Sequence, residues 1–336
     1  MASELPIVGI TLGDVAGIGP EVVVKALHHS ELHKRCRPLV IGDSRVFSDP
    51  KFAASAEQVH SITSLKAAAF EPGEITVLDL HNLDPTIVTV GEVSAVAGRA
   101  AVEYVLKAAD LARSGQIDAI ATAPLNKEAM RLAGYDYIGH TEILMDVTHT
   151  EHCTTMLATE GLRVTHVTRH IPFREIADRI TMANVLETIM VTEEGMRRLG
   201  YAKPRVAVAG LNPHNGENGL LGREELDEIA PAVEAARSHG IDAHGPLPAD
   251  SVFFQAIGGA YDVVVCMYHD QGHIAVKTQG FERSITITLG LPILRTSADH
   301  GTAFDIAGRG IAHESSMLTA ILEAATLATN RGGLRT

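Results

Sequence analysis

Short apolar runs alternate with longer amphipathic segments along almost the whole chain, and this alternation constrains the fold more than any other feature. PIVGIT, RPLVIGD and IDAIATAP are apolar runs of the length typical of buried strands. Before the third run, a segment with helical periodicity begins after Ser94, its predicted N-cap, and stops at Gly115. Repeated β–α units with apolar strands predict an α/β/α layered fold.

The length of the chain predicts two domains. Its 336 residues correspond to about two units at roughly 150 residues each. Because no long linker or low-complexity tract separates two halves, we expect the chain to cross into a second domain and return. We place the first α/β domain at residues 1–128 plus 296–336 and the second at residues 129–295. An interdomain cleft formed in this way is a common ligand site.

Charge and cysteine usage exclude several classes of protein. Lys and Arg number 28 against 41 Asp and Glu, and this net charge of −13 makes nucleic acid a poor partner. No apolar run approaches the roughly 20 residues that span a bilayer, and the first residues lack the pattern of a secretory signal. The odd number of cysteines without a CxxC motif predicts a cytoplasmic protein without a disulfide framework.

Three of the 17 histidines stand at or just past the ends of apolar runs: His170, His214 and His269. Ligands of α/β sheets bind at the carboxyl ends of the strands. Three neutral imidazoles that converge there would form a metal site with open coordination positions, the catalytic arrangement. Position alone supports this interpretation and its alternative equally. The alternative is that the three histidines are unrelated polar residues at strand ends.

Two further motifs suit small ligands. The segment TLGDVAGIGPE follows the first strand, and its glycines let backbone approach a ligand closely, although it is neither GxGxxG nor a P-loop. A tight strand-to-helix turn explains it equally well. Lys127 lies in the first turn of a predicted helix, where a bound anion would relieve its conflict with the helix dipole. His140 and Thr141 follow a glycine in a predicted loop and can donate to an oxyanion. A surface lysine and a capping threonine are the alternative.

The segment from Met267 to Ser297 carries charged groups suited to chemistry. Asp270 is adjacent to His269 and could orient a ligand or take part in proton transfer. Lys277 and Arg295 are cations near predicted strand ends and suit a phosphate or a carboxylate.

The motifs together resemble a known family. GDVAGIGPE, GHTE, GLNPHNGE, MYHDQG and ITLGLPILRTSADHGTAFDIAGRG, in this order from Gly13 to Gly310, are similar to the 4-hydroxythreonine-4-phosphate dehydrogenase (PdxA) family. That family is related to isocitrate and isopropylmalate dehydrogenases. The resemblance therefore implies a two-domain α/β/α fold of that type, with the active site in the interdomain cleft.

The resemblance also implies cofactors and a partner. It implies a homodimer in which a divalent metal, bound by His170, His214 and His269, is shared across the interface formed by the second domain. Imidazole ligands favour Zn²⁺, Co²⁺ or Ni²⁺, and we expect Zn²⁺, with Mg²⁺ or Mn²⁺ able to act in assays. NAD is expected against the first domain, with the HGTAFDIAGRG loop near the adenosine.

The expected site residues fall into three sets. Substrate contacts are expected from Lys127, His140, Thr141, Lys277, Thr286 and Arg295. NAD contacts are expected from Asp14, Gly17, His300, Gly301, Thr302 and Asp305. The candidates for acid–base catalysis are Asp250, Asp270 and Lys277.

One position separates branches of the family. Thr286 occupies the place of an Asn that contacts substrate in the pyridoxine-pathway enzymes, and ATAPLNKEA and YHDQGHIAVK resemble the branch acting on 4-phospho-D-threonate or 4-phospho-D-erythronate. We therefore expect NAD-linked oxidation of the 3-hydroxyl, then decarboxylation to dihydroxyacetone phosphate. The alternatives are a 4-phosphohydroxy-L-threonine dehydrogenase, a dihydrodiol dehydrogenase of the terephthalate type, a phosphate acyltransferase and a sugar-acid sensor.

Overall fold

The computed structural model describes residues 5–334 except residues 57 and 72. It divides into unit 1, formed by Met1–Glu151 with Leu291–Thr336, and unit 2, formed by His152–Gly290. From the sequence, we expected the chain to enter the second domain after residue 128 and to leave it after residue 295. In the structure the chain enters unit 2 later, after Glu151, because the two helices that follow residue 126 pack on the long helix of unit 1. No helix of the described residues has the length and apolar character needed to cross a membrane.

Most strands of the described residues follow the apolar runs of the sequence. They are β1 (Ile7–Thr11), β2 (Arg37–Gly42), β3 (Val59–Ile62), β4 (Ile75–Asp79), β5 (Ala119–Thr122), β6 (Thr154–Thr159), β7 (Leu162–His166), β8 (Val206–Ala209), β9 (Ala243–Leu247), β10 (Val263–Cys266), β11 (Ile285–Leu289) and β12 (Arg295–Ala298).

The helices lie between the strands in most cases. They are α1 (Gly19–Leu27), α2 (Ala95–Arg113), α3 (Lys127–Leu132), α4 (His140–Thr148), α5 (Ile176–Arg179), α6 (Met182–Arg198), α7 (Ala230–Ser238), α8 (Ala249–Ile257), α9 (His269–Gly280) and α10 (Ser315–Leu334). The N-cap predicted for α2 is confirmed, since Ser94 Oγ accepts a hydrogen bond from the backbone N–H of Ala97.

Unit 1 is built on a sheet with the strand order β3-β4-β2-β1-β5-β12. Its neighbouring strands are parallel. The central strand is buried from Val8 to Thr11, as expected for a parallel sheet covered on both faces. Helices α1 and α10 form one layer, and α2, α3 and α4 form the other. The carboxyl ends of β1, β5 and β12 therefore meet at one edge of this sheet.

The strands of unit 2 lie in the order β11-β6-β7-β10-β8-β9. Strands β7, β10, β8 and β9 are parallel, whereas β6 runs antiparallel to both β7 and β11. Helices α6 and α7 pack together on the sheet, and α8 and α9 contact it separately. The apolar core between the strands and the helices α8 and α9 includes Val164, Val252 and Val276. The predicted α/β class is thus confirmed in each unit.

Two sequence-based assignments near site residues are wrong. His140 and Thr141 do not lie in a loop but begin α4. Lys277 is not near a strand end, because β10 ends at Cys266 and α9 begins at His269. Lys277 lies inside this helix. Asp270 in the first turn favours this helix start, because a carboxylate there complements the helix dipole.

Candidate functional site

Four histidines gather at the carboxyl edge of the unit 2 sheet. The ring centroids of His170 and His269 are 5.6 Å apart. His269 also stacks on His273 at 3.6 Å, and His166 lies 4.8 Å from His273. This arrangement follows from the parallel pairing of β7 with β10, which brings the segments after the two strands together. Two of the three predicted metal ligands are therefore neighbours within one chain.

His269 is held at the start of α9 with its side chain 35% exposed. Its Nδ1 lies 2.6 Å from Oδ1 of Asp270. With the proton on Nδ1, this nitrogen donates to the carboxylate and leaves the lone pair of Nε2 available. The orienting contact expected of Asp270 is present.

His166 is a site residue that the sequence analysis did not single out. It ends β7, and it is 3% exposed. Burial lowers the pKa of His166 to about 3, helped by the charges of His273, His269 and Arg169. The ring is therefore neutral at physiological pH. The signal in the sequence is a second histidine in the run LRVTHVTRH, of which only His170 was considered.

His214 lies in a loop with unusual backbone geometry. Five consecutive residues, from His214 to Asn218, have left-handed dihedral angles, and four of them are not glycine. Each such residue costs about 1–2 kcal/mol, and backbone strain of this kind concentrates at functional sites. The side chain of His214 is 69% exposed, and its Nδ1 lies 3.0 Å from Oε1 of Glu217.

The predicted histidine trio does not close into a metal site within one chain. Among the residues that the structure describes, His170, His214 and His269 do not belong to a set of ligand atoms lying within 4.8 Å of one another.

Two polar side chains, the buried Glu225 and the partly buried Gln271, fix the loops that carry these histidines. Oε1 of Glu225 accepts hydrogen bonds from the backbone N–H groups of Leu211 and Asn212 at 2.7 and 2.6 Å. Gln271 donates to the carbonyl of Gly210 at 2.8 Å and accepts from the N–H of Met267 at 2.7 Å. Gln271 thereby ties the loop after β8 to the segment after β10. The sequence analysis missed Glu225 and Gln271 because these side chains bond to backbone groups, most of them distant in the chain, and such contacts leave no motif in the sequence.

Unit 1 contains a buried cationic group at the start of β12. Arg295 is 4% exposed, and its Nε and Nη2 atoms donate to Oγ1 of Thr122 at 3.1 and 2.7 Å. These residues meet because β12 pairs with β5. A guanidinium buried in this way favours an anionic ligand, since charge-assisted hydrogen bonds offset its desolvation.

His140 adds an unsatisfied donor or acceptor near Arg295. Desolvation by burial, followed by the charge of Arg295, holds the pKa of His140 well below its ordinary value of 6.5. Its Nε2 atom is buried and has no hydrogen-bond partner among the described residues. His140 and Thr141 occupy the first turn of α4, whose N-cap, Gly139, makes no side-chain cap. Backbone N–H groups in such a position bind anions.

Lys127 begins α3 as predicted, but the N-terminus of this helix is already capped and does not require a bound anion. Asn126 Oδ1 accepts from the N–H of Ala129 at 2.8 Å, and Glu128 lies in the same first turn. The side chain of Lys127 is exposed. A role for Lys127 in substrate binding stays a prediction.

The turn after β1 contacts the loop after β12. The N–H of Ile18 donates to the carbonyl of Thr302 at 3.0 Å. A Cβ at Gly17 would lie 2.7 Å from that same oxygen, so the close approach requires glycine. Asp14 is fully buried beside this contact, its Oδ2 has no partner among the described residues, and burial raises its pKa to about 6. Asp14, Gly17 and Thr302, predicted to contact NAD, therefore lie in one region.

The remaining predicted NAD contacts lie on the same loop. Gly301 and Asp305 are exposed, and His300 Nδ1 is 3.1 Å from the carbonyl of Gly301. The buried Nε2 of His300 is a further polar atom without a partner among the described residues. The far end of the loop is tied to α1, since Lys25 Nζ donates to the carbonyls of Gly310 and Ala312.

The other predicted residues of unit 2 are spread over three elements. Asp250 is exposed in the first turn of α8. Lys277 is half buried in α9, with Nζ 5.0 Å from the ring centroid of Phe281. Thr286 is half buried in β11, opposite Leu157 of β6. Their roles stay predictions.

Asp43, Asp79 and His81 of unit 1 form a cluster compact enough for a metal ion. Its carboxylates are already occupied, however. Asp43 makes two side-chain hydrogen bonds with Arg45, at 2.9 and 2.7 Å. Asp79 accepts from the hydroxyl of Ser44 at 2.6 Å and from the N–H of His81 at 2.9 Å. We interpret this cluster as an anchor for the loops after β2 and β4, because a cation would displace the arginine.

The fold and these polar strand ends define a two-unit α/β protein with groups suited to a small anionic ligand. The family model described as pyridoxal phosphate biosynthetic protein PdxA matches residues 34–324. The chain belongs to this PdxA family, as its motifs predicted.

Similar proteins are named as dehydrogenases. The D-threonate 4-phosphate dehydrogenase of Cupriavidus necator is 49% identical over 333 residues, which cover 98% of this chain and 100% of the relative. The crystal structure of 4-hydroxythreonine-4-phosphate dehydrogenase from Klebsiella pneumoniae is 45% identical, with a TM-score of 0.90 and coverage of 96% and 99%. A terephthalate 1,2-cis-dihydrodiol dehydrogenase from Burkholderia xenovorans is 31% identical, with a TM-score of 0.65 and coverage of 96% and 98%.

Proposed function

We propose that the protein is an NAD-dependent dehydrogenase that oxidises the 3-hydroxyl of 4-phospho-D-threonate or 4-phospho-D-erythronate. The resulting 3-keto acid would then lose CO₂ and leave dihydroxyacetone phosphate. The name of the C. necator relative supports this substrate class. The structural observation that carries the proposal is the buried guanidinium of Arg295 close to His140, because a buried cation suits a phosphate or carboxylate.

The residues present fit the two cofactors that the family implies. Imidazole nitrogens suit a divalent cation such as Zn²⁺, and the Asp270 contact favours the tautomer of His269 that can bind one. Asp14 Oδ2 and His300 Nε2 are buried and have no hydrogen-bond partner in the described part of the chain, so they suit a polar ligand such as NAD at the carboxyl edge of the unit 1 strands. When bound, the cation would supply a Lewis acid for the hydroxyl, and NAD would supply the hydride acceptor.

The chain's own residues would bind and orient the substrate. Arg295, His140 and Thr141 are proposed to hold its acidic groups, which fixes the reacting carbon. Lys277 and Thr286 are proposed as further contacts, and Lys127 as an outlying one. The proton of the hydroxyl would pass to one of the predicted acid–base residues, which are Asp250, Asp270 and Lys277.

A parallel assay of NADH formation tests the proposal. The purified protein would be supplied with NAD, Zn²⁺ and, separately, 4-phospho-D-threonate, 4-phospho-D-erythronate, 4-phosphohydroxy-L-threonine and a terephthalate dihydrodiol. We expect the first two to give the highest kcat/KM and to release CO₂. Preference for either of the last two would replace the proposed substrate. No NADH from any of them would contradict the proposed dehydrogenase activity.

We further propose a homodimer in which the metal is shared between subunits. Large apolar side chains of unit 2 support a partner surface: Phe254, Ile274 and Phe281 are 81%, 65% and 69% exposed. The free, buried thiols of Cys36 and Cys266 support a reducing compartment such as the cytoplasm.

Pairwise co-expression tests the shared site. The variants His170→Ala, His214→Ala and His269→Ala would be combined two at a time. If one ligand comes from the partner subunit, two of the three pairs regain about a quarter of the activity, because half the dimers are mixed and each mixed dimer has one intact site. No recovery in any pair would contradict sharing.

A further inference from the structure

We propose that His166 and His273 are positioning residues that hold the ring of His269 in the orientation needed to bind a divalent cation. This inference rests on the metal site of the proposed function. It assigns a role to two histidines that lie outside the predicted ligand set.

The ring of His166 lies directly beneath the first turn of α9. His166 is the register partner of Cys266, the last residue of β10, so it faces the segment that leads into the helix. A Cβ built on Gly272 would come within 2.5 Å of His166 Nε2. Any side chain larger than hydrogen at position 272 would therefore push the ring away.

His273 occupies the next turn of α9 and covers one face of His269. The two rings are nearly parallel, at 13°, with centroids 3.6 Å apart. Nδ1 of His273 lies 3.0 Å from the backbone carbonyl of His269 and 3.3 Å from Nε2 of His166. His273 is thus fixed by its own helix turn and by His166, and it restricts the rotation of His269 in turn.

The restraints on His269 act on different sides. His273 covers a ring face, and Asp270 engages Nδ1 at 2.6 Å. Since the ring is ordered by the fold, less conformational entropy is lost when a cation binds.

His166 and His273 support the proposed metal ligand His269 and do not themselves form a metal site. In the part of the chain that the structure describes, the ring nitrogens of His166, His269 and His273 do not form a group within 4.8 Å of one another. His166 is 3% exposed, which also leaves its ring little access to an ion from solvent. A positioning role accounts for the burial, the stacking and the glycine together.

The test compares cation binding by full-length variants. The variants are His273→Ala, His273→Phe, which keeps a ring over His269, and His166→Leu, which keeps the buried volume. His239→Ala is the control, because His239 of the same unit makes a similar contact from Nδ1 to a carbonyl four residues earlier, Ala235, at 2.8 Å. Zn²⁺ affinity would be measured by competition with a chromophoric chelator, and the visible spectrum of the Co²⁺-loaded protein would report the ligand geometry.

We expect His273→Ala and His166→Leu to weaken Zn²⁺ binding by about 10- to 100-fold and to alter the Co²⁺ spectrum. His273→Phe should recover part of the affinity, and His239→Ala should match the parent protein. Parent-like affinity and spectrum in His273→Ala, or in His166→Leu if the former does not fold, would overturn the inference. Failure of the parent protein to bind Zn²⁺ or Co²⁺ at all would overturn the proposed metal site, and the positioning role with it.

Discussion

Arg295 and Asp14 of unit 1 are 4% and 0% exposed, whereas the side chains of His214 and His269 in unit 2 are 69% and 35% exposed. Unit 1 fixes its polar groups by burying them in and beside the sheet. Unit 2 places its groups on loops and on a helix start, and fixes these segments through hydrogen bonds that Gln271 donates and Glu225 accepts. Burial and tethering are thus two ways to pre-organise a site on similar sheets.

The two ways have different physical costs. A buried ionisable group must be desolvated, which perturbs its pKa, as it does for Asp14 and His140. A tethered group on a loop keeps its solvation but needs backbone strain or buried hydrogen-bond partners to stay in place. Substitutions in unit 1 should therefore change stability and its pH dependence as well as ligand binding, whereas substitutions in unit 2 should mainly change cation binding and catalysis.

The largest effect is expected in unit 2. His269→Ala should lower kcat/KM by about 10³-fold or more, since a Lewis acid contributes several kcal/mol to the barrier. NADH formation and bound metal would be measured together, with His239→Ala as the control. Activity within a few-fold of the parent would remove His269 from the metal site.

A smaller effect is expected from the buried cation of unit 1. Arg295→Ala removes a charge-assisted contact worth roughly 1.5–3 kcal/mol, so the KM for the phosphorylated acid should rise by about ten-fold or more. Arg113→Ala, on the surface of the same unit, is the control. An unchanged KM would show that the acidic groups bind elsewhere.

The burial of Asp14 predicts a pH dependence of stability. Its pKa is about 6 in the folded chain and 3.8 when solvated, so the folded state binds the proton more tightly. Stability is therefore lost as pH rises from about 4 to about 6 and stays low above that. Asp14→Asn should be more stable than the parent by up to about 3 kcal/mol at pH 8 and by little below pH 4.

Urea unfolding at the two pH values measures this difference. Asp110→Asn, an exposed carboxylate on α2, serves as the control. A stability gain that is the same at both pH values would contradict a raised pKa for Asp14.

The smallest effect concerns substrate choice in unit 2. Thr286→Asn places an amide on β11 where the parent has a hydroxyl. One neutral hydrogen bond is worth about 0.5–1.5 kcal/mol, so we expect the ratio of kcat/KM to shift by about 2- to 12-fold toward 4-phosphohydroxy-L-threonine. Thr286→Val controls for loss of the hydroxyl alone. A ratio unmoved by either variant would show that position 286 does not discriminate at C2.

The comparison also explains what the sequence could predict. Parallel strands are continuous apolar runs, so most strands and the α/β class were visible in the pattern. The placement of His170, His214 and His269 just after strands could be predicted too, because each follows a continuous apolar run. Strand β12, which begins at the buried Arg295, was missed because no long apolar run marks it.

Contacts made across the fold were not predictable from spacing. His166 and Gly272 are far apart in the chain and meet only because β7 pairs with β10. The start of α9 at His269 was also missed, since the apolar run of β10 continues through Met267 and Tyr268 without a helix-capping side chain. Local sequence pattern thus predicts most of the strands and helices, whereas the hydrogen bonds that fix the unit 2 loops exist only in the folded chain.

The left-handed run from His214 to Asn218 limits how this loop can be diversified. Glycine can adopt this backbone at every position, and Asn and Asp tolerate it, but β-branched residues cannot adopt it without unwinding the turn. Position 216 requires glycine, because a Cβ there would lie 2.7 Å from Oε2 of Glu225, and a library at positions 215, 217 and 218 should exclude β-branched residues. Substitutions meant to alter specificity are therefore better placed in the segments that flank the turn than in the turn itself.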